Sequence, residues 1–399
     1  MSSRRTRTLL TAGRLAAGLL GAAGCSGDEP EAAGPVPVDA VRAIDRALDS
    51  RARAVRRADA EAFSRQVAGS AGFRELQQAW FANLTRLPVG RLAYEVEPGS
   101  VVREGGTWSA IVETSLRLEG YDERAVTSQG RYRFRAAAGR PGRFVLTAVE
   151  ERDPQPWDLG PVDVRVGVGV LGIFDAGSVG AAPELLASVE SGISAVSAQV
   201  PYAWSRSVVV YALSQPTFLE GLDDVPGDDP DDLDGVAFPV GESTRFALNP
   251  RMLAQPGRER DRLVRHELTH VALGTQDDAV PVWLSEGLAE YVAVRPLAPQ
   301  DRRIPEAAVA AAAAGVSDLP DDDTFNDQDS DAHYGLAWWA VEWLADTYGD
   351  DAPWTLLEAL AASGADPEAV LRDQFGTSTE ELAREADRLI LSLYEPAGG

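Results

Sequence analysis

From residue 38 onward the chain changes its hydrophobic period several times, and each change predicts an element. Apolar residues recur at helical spacing through residues 38–63 and again through 72–84. Residues 92–97, 108–118, 130–136 and 143–150 instead alternate with period two, as strands with one buried face do. A proline-bounded stretch at 154–161 interrupts the pattern. Beyond it, 164–174 and 207–213 read as strands around a helix near 183–199, and 235–239 and 244–249 as two more strands. Helices then dominate. They are 258–273, ended by Gly274; 282–292, started after Pro281; 335–348, with Trp338, Val341 and Tyr348 on one face; one opened by Asp366-Pro367; and a last one behind the capping box Ser378-Thr379-Glu380-Glu381. The predicted class is α+β. N-terminal helices and a curved antiparallel sheet come first, then a domain with a small sheet, a central polar helix and a mostly helical C-terminal part. About 360 residues exceed what one core usually serves, so two domains are expected, 38–155 and 162–395.

Residues 1–25 read as an export signal. Arg4, Arg5, Arg7 and Arg14 precede an apolar run over 15–23 that is too short to span a bilayer, and Ala22-Ala23-Gly24-Cys25 closes it. Cys25 is the only cysteine, so it forms no internal disulfide. Its position resembles a bacterial lipobox, which implies lipidation of Cys25 as the mature N-terminus. Ala22, where that pattern has leucine, departs from it, and an ordinary secretory signal is the alternative. Arg4-Arg5 suggests twin-arginine export, but no hydrophobic residue follows directly, so the route stays open. Residues 26–37 have a tether's composition. The expectation is an extracytoplasmic protein held to the membrane by its lipid, or else secreted.

Charge narrows the partners. The formal net charge of −25 becomes −29 once the four arginines before Cys25 are removed, which argues against nucleic acid or anionic lipid as a main partner. The oligomeric state stays open.

The candidate chemistry lies in His266-Glu267-Leu268-Thr269-His270 and in Trp283-Leu284-Ser285-Glu286-Gly287. Val264, Leu268 and Val271 form the apolar stripe of the first helix. His266 and His270, four apart, share another face, where two imidazoles can hold one zinc ion with Glu267 beside it to take a proton from water. The chain has three histidines in all, which makes a chance match rare. A third ligand is needed. Positions 273 and 276, where one zinc-peptidase class carries glycine and histidine, hold Leu273 and Gln276. Asp277 and Asp278 read as solvated loop residues. Glu286 on the second helix is better placed, and Glu290, one turn on, is the runner-up, more in keeping with a supporting or surface role.

His-Glu-x-x-His followed by Trp-Leu-Ser-Glu-Gly-Leu-Ala-Glu-Tyr resembles the gluzincin peptidases, and within them the compact bacterial peptidase MA-like domains. The resemblance covers roughly 164–394 and is specific at the motif pair. It implies a zincin-like domain in which His266, His270 and Glu286 bind one catalytic Zn2+ and Glu267 is the general base. The interval from His270 to Glu286 is shorter than in thermolysin and suits the compact branch. In such folds an edge strand before the metal helix pairs with the substrate backbone, which makes Phe246, Ala247, Leu248 and Asn249 the expected substrate-binding residues. A tyrosine opening the later helix implies that Tyr334, or His333 beside it, stabilises the oxyanion. The N-terminal domain resembles the NTF2-like fold; it carries no constellation of acid, base or metal ligands and reads as a spacer or substrate-presenting domain.

The predicted function is zinc-dependent hydrolysis of peptide bonds in peptides or proteins outside the cytoplasm. An endopeptidase or a narrow-substrate enzyme is favoured, because the only methionines, Met1 and Met252, lie in no Gly-x-Met-Glu-Asn motif of the kind that anchors a free N-terminus. The alternative is a non-catalytic zinc-containing surface lipoprotein, against which the intact Glu267 counts. A serine hydrolase is disfavoured because Ser70 and Ser178 both lack the first glycine of Gly-x-Ser-x-Gly. Two acidic runs, 222–234 and 321–331, admit Ca2+. In the second, Asp327, Asp329 and Asp331 alternate like the start of a calcium loop but lack its glycine and distal glutamate, so solvated charge is the favoured reading of both.

Overall fold

The computed structural model describes residues 38–140, 142–222, 233–255 and 257–394. The expected signal, Cys25 and tether lie outside the described residues, as does most of the acidic run at 222–234. Val36–Gly399 forms one compact unit. No helix among the described residues is long and apolar enough to cross a membrane.

The first half follows the change of period. Helices α1 (Val38–Arg56), α2 (Ala60–Ser64) and α3 (Ala71–Arg86) come first, and the side chains of Asp59 and Ser70 cap the second and third by accepting the Ala62 and Phe73 N–H groups. Strands β1 (Val89–Val96), β2 (Val102–Glu104), β3 (Thr107–Leu118), β4 (Val126–Ala136) and β5 (Phe144–Glu151) follow. They form an antiparallel sheet in the order β1-β3-β4-β5, with β2 on β3. Irregularities at Val89/Arg91 and Arg133/Phe134 break its register, which is how a sheet acquires local curvature. Ile44 and Leu48 of α1 bury against Val112, Phe134 and Leu146 on one face.

A short helix α4 (Pro156–Leu159) leads into the second sheet. The stretch expected to be one strand, 164–174, is two, β6 (Asp163–Gly167) and β7 (Val170–Phe174), folded back at Gly169, whose φ of +76° a side-chain-bearing residue rarely adopts. After α5 (Ala182–Ser197) come β8 (Val208–Ala212), β9 (Gly235–Val240) and β10 (Ser243–Leu248). The order is β6-β7-β8-β10-β9, with β7, β8 and β10 parallel and the outer pairs antiparallel. This order overturns the expectation for Phe246, Ala247, Leu248 and Asn249. β10 pairs on both sides, with β8 and with β9, and all four residues are buried, so no backbone edge is left there for a substrate. Among the described residues, the edges of this sheet are β6 and β9, and β9 is the one beside the strand expected to take the substrate.

The rest is helical: α6 (Gly257–Leu273), α7 (Val282–Val294), α8 (Glu306–Ala314), α9 (Ser330–Tyr348), α10 (Ala352–Ser363), α11 (Pro367–Gln374) and α12 (Thr379–Tyr394). The α9 helix starts five residues earlier than its apolar pattern suggests, so His333 and Tyr334 lie in its first turns. Glycines set two close helix contacts. A Cβ at Gly192 of α5 would lie 2.7 Å from Leu268 Cδ1 of α6, and one at Gly287 of α7 would lie 2.6 Å from the Ala337 carbonyl oxygen of α9. Arg265 Nε of α6 donates to the Ala293 carbonyl of α7 at 2.6 Å, so α7 is held across α6.

The two sheets share apolar packing. Trp80, Leu84 and Leu92 bury in the same cluster as Leu171, Ile173, Val209 and Tyr211. A polar clasp adds to it: Arg245 of β10, 2% exposed, donates to Asp122 at 2.8 Å and to the Tyr211 hydroxyl at 2.6 Å.

Candidate metal centre

The buried stripe of α6 is Val264 and Leu268, whose packing against α5 turns the opposite face into a cleft of about 1080 Å³. His266, Glu267 and His270 line it, and Glu286 reaches it from α7. Three atoms converge. His266 Nε2 lies 3.1 Å from His270 Nε2 and 3.1 Å from Glu286 Oε2, and His270 Nε2 lies 3.5 Å from the same oxygen. Ligand bonds of about 2.0–2.1 Å to a tetrahedral ion would set such atoms about 3.3 Å apart, so this triangle has the size of one tetrahedral face.

The far side of each ring explains why both Nε2 atoms can offer lone pairs. His266 Nδ1 is 3.1 Å from Glu290 Oε1, and His270 Nδ1 is 2.8 Å from Asp277 Oδ2. A carboxylate at Nδ1 holds the proton there and leaves Nε2 free to ligate. Glu290 is in turn gripped by Arg262, through Nη2 at 2.6 Å and Nε at 2.9 Å, and Asp277 Oδ1 accepts the Ser285 hydroxyl at 2.6 Å. The same carboxylates favour the protonated form of both rings. Burial pulls the His266 imidazole down, but the Glu286 and Glu290 carboxylates bonded to it hold it up at about 9. His270 is likewise raised, against its burial, by Asp277 and Glu286. Glu286, though burial raises it, is held well below the usual carboxylate range by His270 and His266. The residues therefore fit a divalent ion that displaces those protons. Among the described residues, this is the one cluster of three or more potential metal-binding side chains. Asp327, Asp329 and Asp331 form none; Asp327 accepts the Asp329 N–H at 2.8 Å in the turn that leads into α9.

Glu267 is 3% exposed and is not one of the three. Burial pushes its carboxyl up to about 7 against the pull of His266 and His270, and it accepts the Ala237 N–H of β9. A Cβ on Gly235 would sit 3.1 Å from Glu267 Oε1. The Asn249 N–H bonds the Asp234 carbonyl at 2.8 Å, which fixes the parity of the hairpin. Val236, Phe238 and Val240 bond inward to β10, so Gly235, Ala237 and Pro239 face the open edge, where a proline costs no ladder bond.

The two oxyanion candidates separate. Tyr334 lines the cleft, with its ring centroid 6.2 Å from that of His266 and its hydroxyl 3.4 Å from Asn326 Oδ1. Burial first, then Glu286, Glu267 and Glu290, push its phenol well above the usual value, so it stays a donor. His333 does not line the cleft. Its Nδ1 lies 2.9 Å from the Phe325 carbonyl, because adjacent helical residues point about 100° apart. Asp277, read above as a solvated loop residue, is instead the partner of His270. Glu290 proves to stand behind His266. Nothing in the local pattern signals Asp277: the chain leaves α6 at Gly274, φ +56°, and a 3₁₀ turn, not a helical period, returns it to the ring.

Residues 229–391 match the family model described as the Peptidase MA superfamily. That stretch holds β9, β10, α6, α7 and every residue of the centre, and the chain carries a peptidase MA-like domain there. No curated protein matches the chain. Among solved structures, one whose title begins Rd1NTF2 is 15% identical with a TM-score of 0.22 over 28% of this chain and 96% of its own. An LEH-like epoxide hydrolase of M. tuberculosis is 17% identical with a TM-score of 0.18 over 28% of this chain and 80% of its own.

Proposed function

We propose that this chain is an extracytoplasmic zinc metallopeptidase of the gluzincin type, with endopeptidase action preferred. The observation that carries the reading is the triangle of His266 Nε2, His270 Nε2 and Glu286 Oε2, each imidazole backed by a carboxylate, beside a buried carboxylic acid that takes no part in it.

His266, His270 and Glu286 would hold the zinc ion, which supplies Lewis acidity toward a scissile carbonyl and toward water. Glu267 takes a proton from the attacking water and returns it to the leaving amine; a carboxyl lifted by burial to about 7 suits both transfers near neutral pH. The Tyr334 hydroxyl donates to the developing oxyanion. The extended substrate pairs with the open edge of β9 through the Gly235, Ala237 and Pro239 carbonyls, the Ala237 N–H being held by Glu267, and its backbone so passes Glu267. Lipidation at Cys25 would keep the enzyme on the outer face of the cell membrane. A Cys25→Ser protein found still in the membrane fraction speaks against that anchor.

The test is digestion of a diverse peptide mixture by zinc-loaded protein lacking residues 1–25, read by mass spectrometry beside Glu267→Ala and Glu286→Ala. Cuts made only by the wild type, with zinc retained in Glu267→Ala and lost in Glu286→Ala, support the reading. No cuts from zinc-loaded wild type favour a zinc-containing binding scaffold instead.

A further inference from the structure

The net charge of the whole chain hides an uneven split. Residues 38–155 hold 19 arginines against 16 carboxylates, a formal +3, whereas residues 156–399 hold 14 against 43, a formal −29. Several cations of the first module are gathered on one surface. Arg131, Arg133 and Arg135 alternate along β4 with Tyr132 and Phe134, which bury against α1, so all three stand on the outer face of the first sheet. Arg140 and Arg143 are exposed in the turn from β4 to β5. We propose that this face docks on an anionic phospholipid surface and turns the peptidase half away from it. Nearness to a membrane rests on the lipid proposed above at Cys25; the face itself rests on the charges.

Around the arginines the sheet is mostly uncharged. Thr107, Ser109 and Ile111 of β3 lie opposite Arg135, Arg133 and Arg131, and Val145 of β5 flanks Arg135 on its other side. Three carboxylates stand near. Glu150 pairs with Arg133 at 3.1 Å, Glu104 lies on β2 beyond Thr107, and Glu113 lies two residues along β3 from Ile111. Arg131 reaches the Ser109 hydroxyl at 3.4 Å. Among the described residues, no carboxylate lies at ion-pair distance from Arg131, Arg135, Arg140 or Arg143. A guanidinium in that state can take a phosphate through two parallel hydrogen bonds. This face also presents no aromatic ring for a base to stack on, which favours headgroup phosphates over nucleic acid.

The direction of the elements fits a chain held at its N-terminus. Ala40 and Ile44, early in α1, pack with Val101 and Phe144, and Arg46 Nη2 lies 3.4 Å from the Gly142 carbonyl of the basic turn. Ala52 and Val55, late in α1, pack instead in the cluster that holds Leu171 and Val209 of the second sheet. Val38 therefore lies at the arginine-bearing end, and a lipid on Cys25 would stay within at most about 45 Å of it. β4 runs the same way. Arg124, just before it, pairs with Glu242 of the second sheet at 2.7 Å, whereas Arg131 and Arg135 lie about 17 and 30 Å along the strand from Val126. The Debye length at physiological salt is about 8 Å. The acidic half is thus too far off to cancel the attraction of the arginines, and its own repulsion from the same lipid points it outward.

The experiment sediments protein from residue 26, which lacks Cys25, with sucrose-loaded vesicles of phosphatidylcholine alone or with about one third phosphatidylglycerol. At about 0.1 M salt the wild type should partition at least about tenfold more strongly onto the phosphatidylglycerol vesicles, and at about 0.5 M the difference should vanish. The triple variant Arg131→Gln, Arg135→Gln, Arg143→Gln should fall to within about twofold of its binding to phosphatidylcholine. Arg303→Gln, Arg384→Gln, Arg388→Gln makes the same change of net charge in the peptidase half and should stay within about twofold of wild type. No phosphatidylglycerol preference in the wild type, a preference that survives the first triple variant, or an equal loss in the second overturns the proposal. Tighter binding to a single-stranded oligonucleotide than to the vesicles gives the face to nucleic acid and overturns it too. Circular dichroism checks the fold, and the pair Arg135→Gln, Arg143→Gln serves if the triple variant does not fold. Because the vesicles need no anchor, failure of lipidation at Cys25 leaves these outcomes untouched. When Cys25→Ser is scored in cells, a wash at about 0.5 M salt removes protein held by this face alone.

Discussion

Replacing Asp277 by alanine removes the carboxylate behind His270 while leaving all three proposed metal ligands in place. Asp277 Oδ2 lies 2.8 Å from His270 Nδ1, and its other oxygen takes the Ser285 hydroxyl at 2.6 Å. Partners in this position typically govern about 10–100-fold in metal affinity, or about 1.4–2.7 kcal/mol. The Asp277 side chain is 18% exposed, so water can partly take its place at Nδ1, which puts the expected loss near the lower bound, about tenfold. Ser285 Oγ bonds Asp277 and lies 3.4 Å from His270 Nδ1, a longer and weaker contact than that of Asp277, so Ser285→Ala should weaken zinc by less than about threefold. Zinc affinity is measured at neutral pH by competition with a chromophoric chelator, with urea unfolding of the metal-free forms as the control for fold. Asp277→Ala binding zinc as tightly as wild type, or Ser285→Ala costing more than Asp277→Ala, would refute this account of how His270 is oriented.

Tyr334→Phe should lower kcat by about 10²–10³-fold with little change in KM, whereas His333→Ala, whose ring faces the Phe325 carbonyl, should stay within about threefold of wild type. The reverse ranking in steady-state kinetics would transfer the oxyanion role. Asp122→Ala strands the Arg245 guanidinium in the core and should cost about 3–5 kcal/mol in denaturant unfolding, much of it recovered by adding Arg245→Met. A loss under about 1 kcal/mol would mean the clasp contributes little. Burial lifts Asp158 from 3.8 to about 7, so the native chain keeps a proton that the unfolded chain releases. Its contribution is therefore full below the unfolded value and is lost as pH rises toward about 7. The urea midpoint of wild type should fall from pH 5 to pH 8 more steeply than that of Asp158→Asn, and parallel profiles would contradict the shift.

What the amino-acid order determined alone was local. Helical periods and glycine and proline stops marked α6 and α7 to within a residue or two, because a helix is specified by the side chains that share its face. The four-residue spacing of His266 and His270 put both rings on one side of α6 for the same reason, and a second helix was the natural source of Glu286. Strand order lay beyond such reasoning. Residues 244–249 read as a strand, and the family resemblance made it the edge, yet β10 became interior because β8 pairs with it opposite β9. Period two says which face a residue takes but not which neighbour its backbone finds. Asp277 and His333 changed standing likewise. One was carried to His270 by an irregular turn and the other was rotated away from the cleft by a single helical step, contacts that depend on where the chain goes next. Period two put Arg131, Arg133 and Arg135 on one face of β4, but only the course of α1 and the packing of one sheet against the other set their end of the strand away from the peptidase sheet.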